Sequence, residues 1–248
     1  MPLPGHSAER IRRFYAKAEA TAAEGGFAVS LDGRTPRSPA GTPLILPTAG
    51  LASLVAGEWA AQGSDILPAT MPATRLAWTA LAAADQGARQ GAVERIASFA
   101  GSDLICYFAD WPAALLALQE ERWGPVIDWV EIELGVAFHR ARGVIPRPQP
   151  VVTIARVGEA ASAEDDFILA GLAAATALFG SAILGLALRR GHLTADAAFA
   201  LSRLDESFQE ERWGVDAEAA ARVAEMAKEA TMLGRWFAAL ESEAITSG

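Results

Sequence analysis

The chain has 248 residues, 52% of them hydrophobic, and a net charge of −9 from 30 acidic and 21 basic side chains. That is ample apolar material for a core without staples. The sign of the charge excludes nucleic acid or an anionic membrane surface as the main partner, because both select clustered Lys and Arg.

At the N-terminus, arginines are followed by no apolar stretch, so a secretory signal is not expected, and Glu9, Glu19 and Glu24 argue against a mitochondrial presequence. Residues 27 to 47 read as strands and turns. Phe27, Val29 and Leu31 alternate with small residues, Asp32-Gly33 is a hairpin signal, and Pro36, Pro39, Gly41, Pro43 and Pro47 forbid a helix. Thr48 is placed to cap a helix running through Glu58 and Trp59, and helical composition dominates from there onward. Breaks are expected near Gly63-Ser64-Asp65, Asp85-Gln86-Gly87, Gly101-Ser102-Asp103 and Trp111-Pro112, with an extended connector from Gly143 to Pro150. Cys106 is the single cysteine, so no intramolecular disulfide forms, and within Leu104-Ile105-Cys106-Tyr107-Phe108 it reads as a small buried hydrophobe in a reducing compartment. The expected fold class is α+β: a small β-rich N-terminal domain over residues 1–64, followed by a larger all-helical domain over 65–248.

Three helical segments bear on function. Phe167 to Leu188 is a run of 22 uncharged residues, long enough to span a bilayer. Seven of them are alanine and three glycine, which makes insertion marginal and favours one helix buried on all sides at the centre of a bundle. No stable membrane insertion is expected. In the last helix Ala219, Val223, Met226, Ala230, Leu233, Phe237 and Leu240 recur at alternating spacings of 4 and 3, one apolar stripe to bury against the rest of the chain. The hexapeptide Gln-Glu-Glu-Arg-Trp-Gly occurs at 119–124 and again at 209–214. In the first copy Trp123 shares a helical row with Leu116, Ile127, Val130 and Leu134, and is core if Gly124-Pro125 only kinks the helix. In the second, Leu201, Leu204 and Phe208 form the apolar row, and Glu206, Gln209, Glu210 and Trp213 project from the other face.

Catalytic constellations are missing. No phosphate-cradling Gly-x-x-x-x-Gly-Lys-[Ser/Thr], no Gly-x-Gly-x-x-Gly and no Gly-x-Ser-x-Gly occurs. His6, His139 and His192 are scattered, and neither His-x-x-x-His nor Cys-x-x-Cys is present to hold a metal. The adjacent acids Glu120-Glu121, Asp165-Asp166, Asp205-Glu206 and Glu210-Glu211 point about 100° apart on a helix, which suits a solvated surface better than a catalytic pair. A site assembled from distant residues, enzymatic or for a small molecule, stays open as an alternative.

Several elements come in one order along the chain: Phe27-x-Val29-x-Leu31-Asp32-Gly33-Arg34-x-Pro36, Leu46-Pro47, Glu58-Trp59, Pro72-x-Thr74-Arg75-Leu76, and Asp103 to Phe108. Gln119 with Trp123-x-Pro125 follows, then Ser202-x-Leu204-Asp205-Glu206-x-Phe208-Gln209-x-x-x-Trp213-Gly214. This order resembles the F1-ATPase assembly chaperones of mitochondria and α-proteobacteria that act on the α subunit. The resemblance implies a β-rich domain followed by a helical one, no cofactor, no catalysis, and transient binding to the nucleotide-binding region of unassembled α. It implies that Glu206 is functionally sensitive and that Trp59, with Glu58 beside it, is a position where substitution is damaging. The expected partner-binding set is Glu206, Gln209, Glu210, Arg212 and Trp213, and the expected state is a monomer. Lack of a presequence points to a bacterial cytoplasm, or to the mitochondrial matrix for a eukaryotic source. Read from the residues alone, Trp59 is core packing, and Glu206 is either a surface carboxylate or a structural hydrogen-bond acceptor.

Overall fold

A computed structural model describes residues 11–38, 40–83, 86–143, 147–214 and 216–241. Packing separates two compact units: the described residues through Trp78 together with Ala238 onward, and Thr79–Phe237. The fold is α+β with the larger part helical.

In the first unit β1 (Ile11–Arg12) precedes a hairpin of β2 (Ala18–Ala23) and β3 (Gly26–Leu31), with Ala18 opposite Leu31 and Ala23 opposite Gly26. β4 (Ile45–Leu46) lies on the other edge of β3, Phe27 facing Leu46. Gly26 has φ +148° and a side chain there would sit 2.4 Å from the Leu46 carbonyl oxygen, so the approach of β4 demands glycine. The Asp32-Gly33 turn forms as the sequence indicates, with φ +50° and +83°. The Asp32 carboxylate accepts the backbone N–H groups of Ala16 and Lys17 at 2.9 and 2.8 Å, which holds its pKa below the ordinary value. Strand β2 is not expected from its composition. Ala18-Glu-Ala-Thr-Ala-Ala23 has helix-favouring composition, and pairing to β3 and packing under the next helix override it.

That helix, α1 (Ala49–Ala60), starts at Thr48, whose hydroxyl oxygen accepts the Leu51 N–H at 3.1 Å while its proton goes to the Ala239 carbonyl at 2.6 Å. Its face of Leu51, Ala52, Val55, Ala56 and Trp59 is buried over the sheet. β5 (Asp65–Ile66) then pairs antiparallel with β1, and Met71 together with Ala73, Leu76 and Ala77 of α2 (Pro72–Ala82) is buried in this unit. Packing therefore carries the first unit to Trp78, past the 64/65 boundary drawn from composition, because β5 returns to β1 and the start of α2 is held by residues of α1.

The second unit contains α3 (Gln86–Gly101), a 3-10 turn over Leu104–Cys106, β6 (Tyr107–Phe108), α4 (Ala113–Leu134), β7 (Ala141–Arg142) parallel to β6, and α5 (Val151–Ser162). There follow α6 (Asp166–Phe179), α7 (Ala182–Arg189), α8 (Ala195–Ser202), α9 (Leu204–Trp213) and α10 (Ala217–Glu241), which belongs to this unit as far as Phe237. α4 continues through Pro125, and Trp123 is buried, as its helical row requires. Cys106 is a buried free thiol whose pKa is pushed up by burial and by nearby Asp103.

The 22-residue apolar run is two helices rather than one. Gly180, at φ +65°, terminates α6, and the Ser181 hydroxyl caps α7 by accepting the Leu184 N–H at 3.0 Å. Every residue from Ala182 to Leu188 is buried, with α7 packed against α3, α4, α6 and α8. Among the described residues no helix is long and apolar enough to cross a membrane. The carboxylate of Asp103, itself fully buried, fastens the break: it accepts the Ser181 hydroxyl at 2.6 Å and the Ile183 N–H at 3.0 Å. The last helix also differs from expectation. Ala230, Leu233 and Phe237 of its stripe are buried, but Ala219, Val223 and Met226 are only half-covered, and nothing before Ala230 is buried.

Candidate functional site

The candidate face is built on α9. The helix is interrupted at Arg203, between the last turn of α8 and the first of α9, so Leu201 and Leu204 lie on different helices instead of one continuous row. Leu204 is the one buried residue of α9, while Phe208 is half-covered. Asp205 and Glu206 occupy the first turn and Arg212 the last, the arrangement a helix dipole favours at each end. Gly214 ends the helix at φ +81°, its N–H donating to the Glu210 carbonyl.

Glu206, Gln209, Arg212 and Trp213 are exposed on this helix, Trp213 to 84%. The Arg212 guanidinium lies 3.8 Å from the centre of the Phe208 ring, a cation–π contact that keeps an aromatic face and a positive charge together at the surface. Glu210, the remaining member of the expected set, is engaged within the chain. It is half-buried and accepts from the Arg203 guanidinium at 2.6 Å, which braces α9 against its own start. Arg203, the residue that precedes α9, thus reaches two turns along the helix to Glu210. Asp205, half-buried, accepts from the Gln119 amide at 2.7 Å, and burial raises its pKa.

Glu58 and Trp59 belong to the first unit and are not part of this face. Both Glu58 carboxylate oxygens cap the start of α2: the N–H groups of Ala73 and Thr74 and the Thr74 hydroxyl each donate at 2.7 Å. Burial raises the Glu58 pKa against those hydrogen bonds. Trp59 is buried edge-on between Tyr15 and Trp78, with ring centroids 5.8 and 6.3 Å away, and the Tyr15 hydroxyl donates to the Trp59 carbonyl at 2.7 Å.

Two surface cavities carry charge. One of about 330 Å³ is lined by Phe108, Glu120, Arg140 and Arg142, where Arg142 donates to Glu120 and Arg140 pairs with Asp128 and Glu131. In the other, of about 490 Å³, Arg13 donates to the carbonyls of Tyr15, Ala16 and Ala60. These guanidinium groups are engaged within the chain. His139 contacts the Pro148 carbonyl and His192 stacks on Trp129, whereas His6 lies outside the described residues; among the latter no cluster of metal-ligating side chains is gathered.

A family model described as ATP12 chaperone protein matches residues 12–131. The crystal structure of Atp12 from Paracoccus denitrificans matches with a TM-score of 0.84 and 40% sequence identity, covering 92% of this chain and 98% of that one. The chain belongs to the ATP12 chaperone family. A structure from Agrobacterium tumefaciens matches at TM-score 0.84 and 39% identity over 93% of this chain and 86% of that one. The mitochondrial protein atp12 of Schizosaccharomyces pombe is 28% identical over 229 residues, 86% of this chain and 76% of its own length. The ATP12 family model ends before α9, so the match of the candidate face to ATP12 proteins rests on the longer similarities.

Proposed function

We propose that this chain is a non-catalytic assembly chaperone of the F1-ATPase that acts as a monomer, without a cofactor, on the unassembled α subunit. It binds α through the exposed side of α9, Glu206, Gln209, Arg212 and Trp213, with Glu210 bracing the helix from within. Membership of the ATP12 chaperone family supports the reading, and the observation that carries it is an indole 84% exposed beside an arginine stacked on Phe208. Trp and Arg are the side chains that dominate interface energetics when a partner desolvates them, and a solvent-facing tryptophan is poor economy for a surface with nothing to bind. The acidic balance suits a protein ligand over nucleic acid or anionic lipid. The setting is a bacterial cytoplasm, or the matrix for a mitochondrial source.

The test is capture of F1 components. The chain is expected to retain isolated α but not assembled F1, and equal recovery of both would overturn the reading. Glu206→Lys is expected to weaken capture while moving folding stability by no more than about 0.5 kcal/mol, since Glu206 is exposed. Collapse of the thermal transition in that variant would instead make Glu206 a structural residue.

A further inference from the structure

The proposed docking face stands on a helix that buries only Leu204 of its own. Its position comes from α4. Gln119, with no exposed surface, accepts the Ala109 N–H on its carbonyl oxygen at 2.8 Å and donates from its amide to Asp205 at 2.7 Å. One helical turn later Trp123, 1% exposed, donates its indole N–H to the Leu201 carbonyl at 3.0 Å, its ring edge-on to Phe108 at 5.7 Å. Two side chains at i and i+4 on α4 thus hold the last turn of α8 and the first turn of α9, on either side of the Arg203 junction.

We infer that Gln119 is a positioning residue for client docking: acting through Asp205, it sets the orientation in which α9 presents Glu206, Gln209, Arg212 and Trp213. The inference rests on the proposed reading of that face. The chemistry of the site calls for a primary amide, because one side chain must accept from Ala109 and donate to a carboxylate at once. A carboxylate at 119 would face the carboxylate of Asp205. An apolar side chain of the same length would leave the half-buried Ala109 N–H and the half-buried Asp205 carboxylate without these partners, a loss larger than the net value of a solvated hydrogen bond.

The test compares the wild-type chain with Gln119→Glu, with Asp205→Ala, and with the double variant Gln119→Glu/Asp205→Asn, reading two quantities. Amide hydrogen exchange over residues 204–213, set against the rest of the chain, reports whether α9 is held. Equilibrium affinity for isolated α, measured well below each variant's melting temperature, reports docking. Gln119→Glu is expected to speed exchange locally over α9 and to weaken binding at least about tenfold. Asp205→Ala cuts the same bond from its half-buried end, leaving the α4 interior in place, and is expected to do the same. In the double variant the new amide donates to the new carboxylate, so protection and affinity are expected to return. Unchanged exchange over 204–213 in Asp205→Ala would overturn the inference, as would faster exchange with unaltered affinity. If the wild-type chain fails to bind α, the docking reading falls on its own, while the exchange comparison still decides whether α4 holds α9.

Discussion

Glu58 and Trp59 are neighbours in sequence with separate structural tasks. Glu58 supplies both carboxylate oxygens to the open N–H groups at the start of α2, so Glu58→Ala is expected to cost about 1 kcal/mol, the usual value of a lost cap. Trp59, enclosed by Tyr15 and Trp78, is expected to cost about 3–5 kcal/mol on truncation to Ala, read from chemical denaturation. The core role of Trp59 was legible from its type and place in a helix. The capping role of Glu58 was not, because Thr74 lies sixteen residues away across a strand and a turn. Asp103 adds a pH dependence. Burial lifts its pKa from 3.8 to about 6 against the hydrogen bonds from Ser181, Ile183 and Ile105. A carboxyl whose pKa is higher folded than unfolded binds more protons in the folded state between those values. Its contribution is therefore fully present below about pH 4 and is lost as pH rises through about 6. Asp103→Asn is expected to flatten that part of a stability–pH profile, while destabilising by about 1–3 kcal/mol because a buried donor loses its acceptor. A profile that keeps its slope in the variant would assign the titration to another group.

At the scale of elements, composition and periodicity reveal what is local and miss what is imposed. Thr48, the Asp32-Gly33 turn and the passage of α4 through Pro125 are local signals and all appear in the fold. The break between α6 and α7 was also written locally, as glycine followed by serine, but uniform apolar character masked it. β2 could not be read at all, since its alanines are held extended by β3 and α1. α10 shows the converse case, a regular apolar stripe of which only the second half is covered. Phe237→Ala is accordingly expected to cost about 3–5 kcal/mol and Met226→Ala less than about 1 kcal/mol. Equal losses in thermal or urea unfolding would mean that the first half of α10 is covered in solution. For the candidate site, the exposure of Glu206, Gln209 and Trp213 followed from helical spacing. The bracing of Glu210 by Arg203 and of Asp205 by Gln119 did not, because the second pair is separated by 86 residues and one sequence carries no sign of that proximity.

On the scale of the whole molecule, two compact units carry different parts of the account: one a sheet covered by α1, the other a helical core around α7 with α9 on its surface. Family membership and the exposed aromatic–charged face of α9 both favour protein binding, and under the proposed function Trp213 anchors α. The direct measurement is the equilibrium affinity of isolated α subunit for the wild-type chain and for Trp213→Ala, with melting temperature recorded for both. Truncating a hot-spot tryptophan costs about 2 kcal/mol or more in binding, so affinity is expected to fall about thirtyfold with the melting temperature unchanged. Equal affinity of the two proteins for α would contradict the account.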